Sequence, residues 1–189
     1  MEITKDQVEK IEKFIESKFD SLNWYHTQET RKIAQKLARL EKADKEIVDV
    51  ALLFHDLGKI KNQDFGHAEI SAAMARKYLE KENLEIRLIE EVVYCIIAHE
   101  MPWQNQSNLV KTAEAKVVFD ADMIQRLSEF GIIKNTLYFQ DIIKEDFHAG
   151  MTKSRDQLFK AYNLLFTDNG LKMAENGYKF VKEFYQKLI

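Results

Sequence analysis

Val50-Ala-Leu-Leu-Phe-His-Asp-Leu-Gly-Lys59 is an apolar run of helical character that carries two adjacent polar side chains, His55 and Asp56. Both are good metal ligands, and burying either without a partner costs several kcal/mol. Upstream, Asp44 is a suitable N-cap. Ile47, Val48, Val50, Ala51, Leu52, Leu53 and Phe54 then make the helix apolar nearly all round, the signature of a central, buried element. Gly58 reads as a left-handed residue that ends it.

The rest of the chain is built in the same style. Its 189 residues hold one proline and six glycines, too few for a loop-rich or all-β design, and the length suits one domain. Helical spacing predicts elements over 5–19, about 25–41, 67–82, 84–100 (stopped by Pro102) and about 111–129. A less regular helix is expected over 131–147. Ser154 and Gln157 read as a capping box opening a helix at 155–166, and a turn at Thr167-Asp-Asn-Gly170 precedes an amphipathic helix at about 171–188. A polar stretch, Lys59 to Gly66, links the central helix to the next. The fold class expected is all-α.

Charge and cysteine usage narrow the function classes. A net charge of −3 and a pI near 6.0 offer no global attraction to nucleic acid or to an anionic membrane. No apolar run approaches the length of a membrane span, and the first residues lack the apolar region of a signal peptide. The single cysteine, Cys95, excludes an internal disulfide and fits a reducing compartment. A cytoplasmic protein is expected.

Of five histidines, His26, His55, His67 and His99 lie near the ends of four predicted helices, each on or beside an inward face. His148 lacks such companions and reads as a surface or helix C-terminal residue. Asp56 stands beside His55, and Asp120-Ala-Asp122 sits in an apolar helix. Periodicity does not choose between Asp120 and Asp122. Nitrogen and carboxylate oxygen together suit a divalent transition metal, whereas one cysteine argues against a structural thiolate site. Taken singly, each histidine is more simply a core or helix-end residue. Together, several buried polar groups are met at once by a metal.

The ordered set His26 with Ile33-Ala34 and Leu37-Ala38, Ala51-Leu-Leu-Phe-His-Asp-Leu-Gly-Lys59, Gly66-His-Ala-Glu-Ile-Ser71, Ile96-Ile-Ala-His99 and Phe119-Asp-Ala-Asp122 resembles the HD superfamily of metal-dependent phosphohydrolases. The resemblance implies a single helical HD domain over 1–189 with a buried central metal site. An N-terminal helix (1–19) precedes a metal-binding core (about 20–130), and C-terminal helices (131–189) pack on that core. It implies His26, His55, Asp56 and Asp122 as metal ligands. His67 and His99 match two further histidines that bind a second metal in some members and lie near the substrate phosphate in others. Lys59 matches a phosphate-proximal lysine. Asp56, Lys59, His67 and His99 are thereby the candidates for catalytic roles.

The chemistry implied is hydrolysis of a phosphoester or phosphoanhydride by metal-activated water, with one or two divalent ions (Mn, Fe, Co, Ni, Mg or Zn) and a small phosphorylated substrate, a nucleotide being favoured. Asp56 would orient the water, while Lys59, His67 and His99 stabilise charge or protonate the leaving group. Arg31 and Arg126 are further basic residues on flanking helices. No nucleic-acid or membrane partner is expected, and exposed helix faces leave room for a homo-oligomer. Two alternatives stay open, a dinuclear iron oxygenase of the same fold and a non-catalytic metal- or nucleotide-binding module. Two departures bear on specificity. Met123-Ile-Gln125 stands where small pyrophosphohydrolases carry Arg-Leu-Asp. The chain also lacks a Gly-Tyr-Pro signature, and a single histidine precedes Glu100, which argues against a cyclic dinucleotide phosphodiesterase.

Overall fold

A computed structural model describes residues 3–62 and 66–188. Among them the regular elements are all helical, as the apolar periodicity predicts. The chain divides into two compact units, Met1–Ala121 and Asp122–Ile189. No helix among the described residues is long and apolar enough to cross a membrane.

The first unit holds α1 (Lys5–Glu16), α2 (Ser21–Glu41), α3 (Lys45–Phe54), a 3-10 turn (Leu57–Ile60), α4 (His67–Lys81) and α5 (Ile86–Ala98). Two further 3-10 turns, Met101–Gln104 and Ser107–Leu109, lead to α6 (Ala113–Arg126), which runs across the division into the second unit. α3 is the centre, packed by α1, α2 and α5, while α4 lies on α5 and on the Leu57–Ile60 turn. Val50 through Phe54 are all fully buried, so each large side chain among them contributes about 1.5–3 kcal/mol of burial. Asp44 caps α3, its Oδ1 accepting from the backbone N–H groups of Glu46 and Ile47 at 3.0 Å.

Several boundaries differ from the sequence expectation in this unit, α5 among them, two residues shorter at each end. α1 ends three residues early. α2 starts at Ser21 rather than about 25, because Asp20 Oδ1 accepts from Asn23 N–H at 2.8 Å and nucleates the first turn. α3 ends at Phe54, not at Gly58, and Gly58 is not left-handed. Its requirement is space. A Cβ there would lie 2.2 Å from the His67 carbonyl oxygen, and its N–H donates to Ser71 Oγ at 2.7 Å. The left-handed glycine is Gly66 (φ +91°), which turns the chain into α4. Of the polar stretch 59–66, residues 63–65 lie outside the described residues.

Arg31 ties three helices. From α2 it makes a two-pronged bond to Asp49 on α3 (2.7 and 2.8 Å) and reaches Glu12 on α1 at 2.9 Å. Burial works against its charge, but the two carboxylates outweigh that and raise its pKa. Its role is therefore in packing α1, α2 and α3 together.

The second unit continues with α7 (Glu129–Leu137), a π-helical turn (Tyr138–Ile142), α8 (Phe147–Asn163) and α9 (Asp168–Leu188). Leu127, Ile132, Met151, Leu158, Ala174, Val181 and Tyr185 form its core. The expected capping box at Ser154 is replaced by a longer helix. α8 starts eight residues earlier, capped by Asp146, whose Oδ1 accepts from Ala149 N–H at 2.9 Å. Ser154 is instead a buried interior residue that accepts from the Tyr185 hydroxyl at 2.7 Å. The irregularity expected over 131–147 is the α7–π-turn segment.

Candidate metal centre

Two helix ends and two helix starts deliver the polar cluster. His55 is the C-cap of α3 and His99 the C-cap of α5. His67 is the first residue of α4, and His26 sits in the second turn of α2. All four are buried, as are Asp56 and Glu100. The rings form a row in the order His26, His55, His99, His67, with successive centroids 5.4, 5.3 and 5.2 Å apart.

Asp56 is the hub. Its Oδ2 lies 3.5 Å from His26 Nε2, and its Oδ1 lies 3.5 Å from His55 Nε2, 3.2 Å from His67 Nε2 and 3.9 Å from His99 Nε2. Lys59, one turn on, donates to Oδ2 at 2.6 Å. Two groups of metal-competent atoms result, His26–His55–Asp56 and Asp56–His67–His99, and Asp56 belongs to both.

Hydrogen-bond accounting shows that these atoms fit a cation. His55 Nδ1 meets the Leu52 carbonyl at 2.7 Å and His99 Nδ1 meets the Ile96 carbonyl at 2.5 Å. A carbonyl only accepts, so both Nδ1 atoms carry the proton, and in the neutral ring Nε2 is left with a lone pair. Yet the Nε2 atoms are drawn together, His26 to His55 at 3.3 Å and His67 to His99 at 3.2 Å. An Nε2 lone pair backed by a protonated Nδ1, as at His55 and His99, is the donor pattern of histidine metal ligands. Nitrogen plus carboxylate without thiolate suits Mn, Fe, Co, Ni or Zn.

Glu100 is the residue that sequence reasoning missed. Its Oε1 lies 2.5 Å from His67 Nδ1, and its Oε2 accepts from Gly66 N–H at 3.0 Å. Burial raises the Glu100 pKa, but the bonds to His67 and Gly66 outweigh it, and the carboxyl is held below its ordinary value. For His67, burial pulls the pKa down, while Asp56 and Glu100 outweigh this and raise it to about 9, so the ion-free ring holds both protons near neutral pH and a bound cation would displace the one on Nε2. The signal that finds Glu100 is an acid following a histidine at the end of a buried helix.

The remaining candidates are placed as follows. Asp120 and Asp122 are both buried on α6 and are not among the two groups above. Asp122 opens the second unit and faces the Arg126 guanidinium at 3.2 Å, one turn along the helix. His148 is exposed in the first turn of α8, consistent with a surface residue and not with a helix C-terminus. Burial pushes the Cys95 thiol up, which makes it a poor nucleophile.

Comparison with known proteins gives the family and the fold. The HD domain family model matches residues 23–127. The uncharacterized protein YpgQ of Bacillus subtilis (strain 168) is 24% identical over 175 residues, which cover 88% of this chain and 82% of the relative. The crystal structure of YpgQ in complex with ADP has a TM-score of 0.75 at 22% identity, over 97% of this chain and 93% of that one. An HD-superfamily hydrolase from Bacillus thuringiensis gives 0.71 at 20% identity, over 97% and 95%.

Proposed function

This chain belongs to the HD domain family, and we propose that it is a metal-dependent phosphohydrolase acting on a phosphoester or phosphoanhydride bond of a nucleotide. The observation that carries the reading is the shared Asp56, with four imidazole Nε2 atoms 3.2–3.9 Å from its carboxylate. His26, His55 and Asp56 hold the ion. The family resemblance adds Asp122, an assignment that rests on the sequence. A bound divalent ion supplies a nucleophile of hydroxide strength near neutral pH and polarises a phosphoryl oxygen.

The protein's own groups do the rest. Asp56 accepts a hydrogen bond from the attacking water and so orients it. Lys59 has three N–H donors and spends one on Asp56, which leaves others for phosphoryl oxygens. His67 and His99 stabilise phosphoryl charge or protonate the leaving group. A nucleotide is favoured because the relative YpgQ has been crystallised with ADP.

The test is a hydrolysis screen over nucleoside mono-, tri- and cyclic phosphates with Mn²⁺, Co²⁺, Ni²⁺, Mg²⁺ and Zn²⁺ added in turn. Activity is expected with one of these ions and is expected to vanish in His55→Ala and in Asp122→Ala. Full activity in folded His55→Ala refutes the reading. The Asp56–His67–His99 group favours one second reading, a dinuclear iron oxygenase. Two irons per chain with oxygen uptake would establish it, and one metal without oxygen uptake would remove it.

A further inference from the structure

Each imidazole that presents Nε2 to Asp56 needs something to hold a proton on Nδ1. At a helix C-terminus the backbone supplies it, because the last four carbonyls lack helical partners. His55 uses Leu52 O and His99 uses Ile96 O, each from the last turn of its own helix. His67 cannot do this. It is the first residue of α4, where the unpartnered groups of the helix are N–H donors, so its own helix offers no carbonyl of the kind that serves His55 and His99. The acceptor that stands against its Nδ1, at 2.5 Å, is the side chain of Glu100, 33 residues on.

We propose that Glu100 is a positioning residue, which keeps the proton on His67 Nδ1 and so presents His67 Nε2 to Asp56 and His99. The inference rests on the metal-dependent reading above. Glu100 is suited to the task in two further ways. It is buried with its second oxygen committed to Gly66 N–H at 3.0 Å, which leaves Oε1, with no other hydrogen-bond partner among the described residues, for His67. It also lies at the N-terminus of α4, where the helix dipole favours negative charge. Glutamine cannot reproduce this. Both neighbours ask for an acceptor, whereas an amide has one acceptor and one donor end. If NH₂ faces His67 Nδ1, the neutral ring moves its proton to Nε2, and if it faces Gly66, a half-buried N–H loses its partner.

The experiment compares wild type, E100Q, His67→Ala and the double variant by Mn²⁺ calorimetry, with NMR of ¹⁵N-labelled wild type and E100Q reading the His67 Nδ1–H proton. Wild type is expected to show a protected Nδ1–H resonance that E100Q loses. Mn²⁺ affinity is expected to fall about 10–100-fold in E100Q, the usual range for an outer-shell partner. In the His67→Ala background the same change is expected to have almost no effect.

An unchanged Nδ1–H resonance with unchanged affinity in folded E100Q overturns the proposal. So does an equal loss of affinity in both backgrounds, which would mean that Glu100 acts on the fold and not through His67. If E100Q does not fold, E100D carries the test. It keeps both acceptors one methylene short, and a smaller loss confined to the His67 background supports the proposal, while a loss in both backgrounds overturns it. If wild type binds no Mn²⁺, the proposed function falls, and the fate of the Nδ1–H resonance still decides the role of Glu100.

Discussion

Adding one methyl group at Gly58 tests whether the 3-10 turn after α3 and the start of α4 are locked together. A Cβ at this position would lie 2.2 Å from the backbone oxygen of His67, and 3.0 Å from both the backbone nitrogen and Oγ of Ser71. The first contact falls about 1.2 Å inside the 3.4 Å at which ordinary van der Waals contact begins. That atom and the Ser71 nitrogen are backbone, so no rotamer change relieves the clash and the first turn of α4 must move. Overpacking of this kind costs about 1–3 kcal/mol. The shift also stretches the 2.7 Å bond from Gly58 N–H to Ser71 Oγ, worth about 1 kcal/mol.

G58A is thus expected to lose about 2–4 kcal/mol in urea denaturation and to melt roughly 5–15 °C lower. Because His67 is the residue pushed, Mn²⁺ affinity measured by calorimetry on the folded fraction should fall as well. A G58A protein within about 0.5 kcal/mol of wild type, with unaltered Mn²⁺ affinity, would refute the claim that this close approach sets the geometry of the site.

Arg31→Ala leaves Asp49 and Glu12 without their shared cation. Breaking a buried pair costs about 3–5 kcal/mol, and the partial exposure of Glu12 reduces this to roughly 2–3 kcal/mol through solvent screening, read as a lower urea midpoint; a change below about 0.5 kcal/mol would show that the network is inert. Chelator treatment is expected to abolish hydrolysis, and added Mn²⁺ to restore it. At a hundredfold excess over its dissociation constant the ion should stabilise the chain by about 2.7 kcal/mol, and calorimetric melting that is indifferent to both chelator and ion would count against a resident metal.

The elements that sequence reads well are those whose local pattern and tertiary fate agree. α3 is the clearest case, since Asp44 caps it and its apolar run from Ile47 to Phe54, interrupted only by Asp49, is buried. The failures are at ends and in the C-terminal third. Ser154 with Gln157 has the form of a capping box, yet Ser154 is drawn into the second unit's core by Tyr185, 31 residues away. The real cap, Asp146, precedes Phe147, His148, Ala149 and Gly150, a first turn too poor in periodic apolar residues to be recognised as a helix start.

Of the site, the ligand-type residues were legible and their wiring was not. His26, His55, His67 and His99 announce themselves as polar residues on apolar faces, and the structure gathers them with Lys59 around Asp56. Periodicity assigns a face to each residue but says nothing of which ring nitrogen bears the proton. That property depends on the second partner of each ring. For His55 and His99 the partner is a carbonyl three residues back, available to any histidine placed just past a helix. For His67 it is a carboxylate from another helix end, and no local rule predicts it. Gly58 shows the same limit from the other side. Its sequence context reads as a helix stop, whereas its function is to let the His67 backbone approach, a requirement that exists only once α4 is folded against the turn. A histidine at a helix start among converging imidazoles is therefore the place to search for a distant acid, because the helix's own first turn offers only donors.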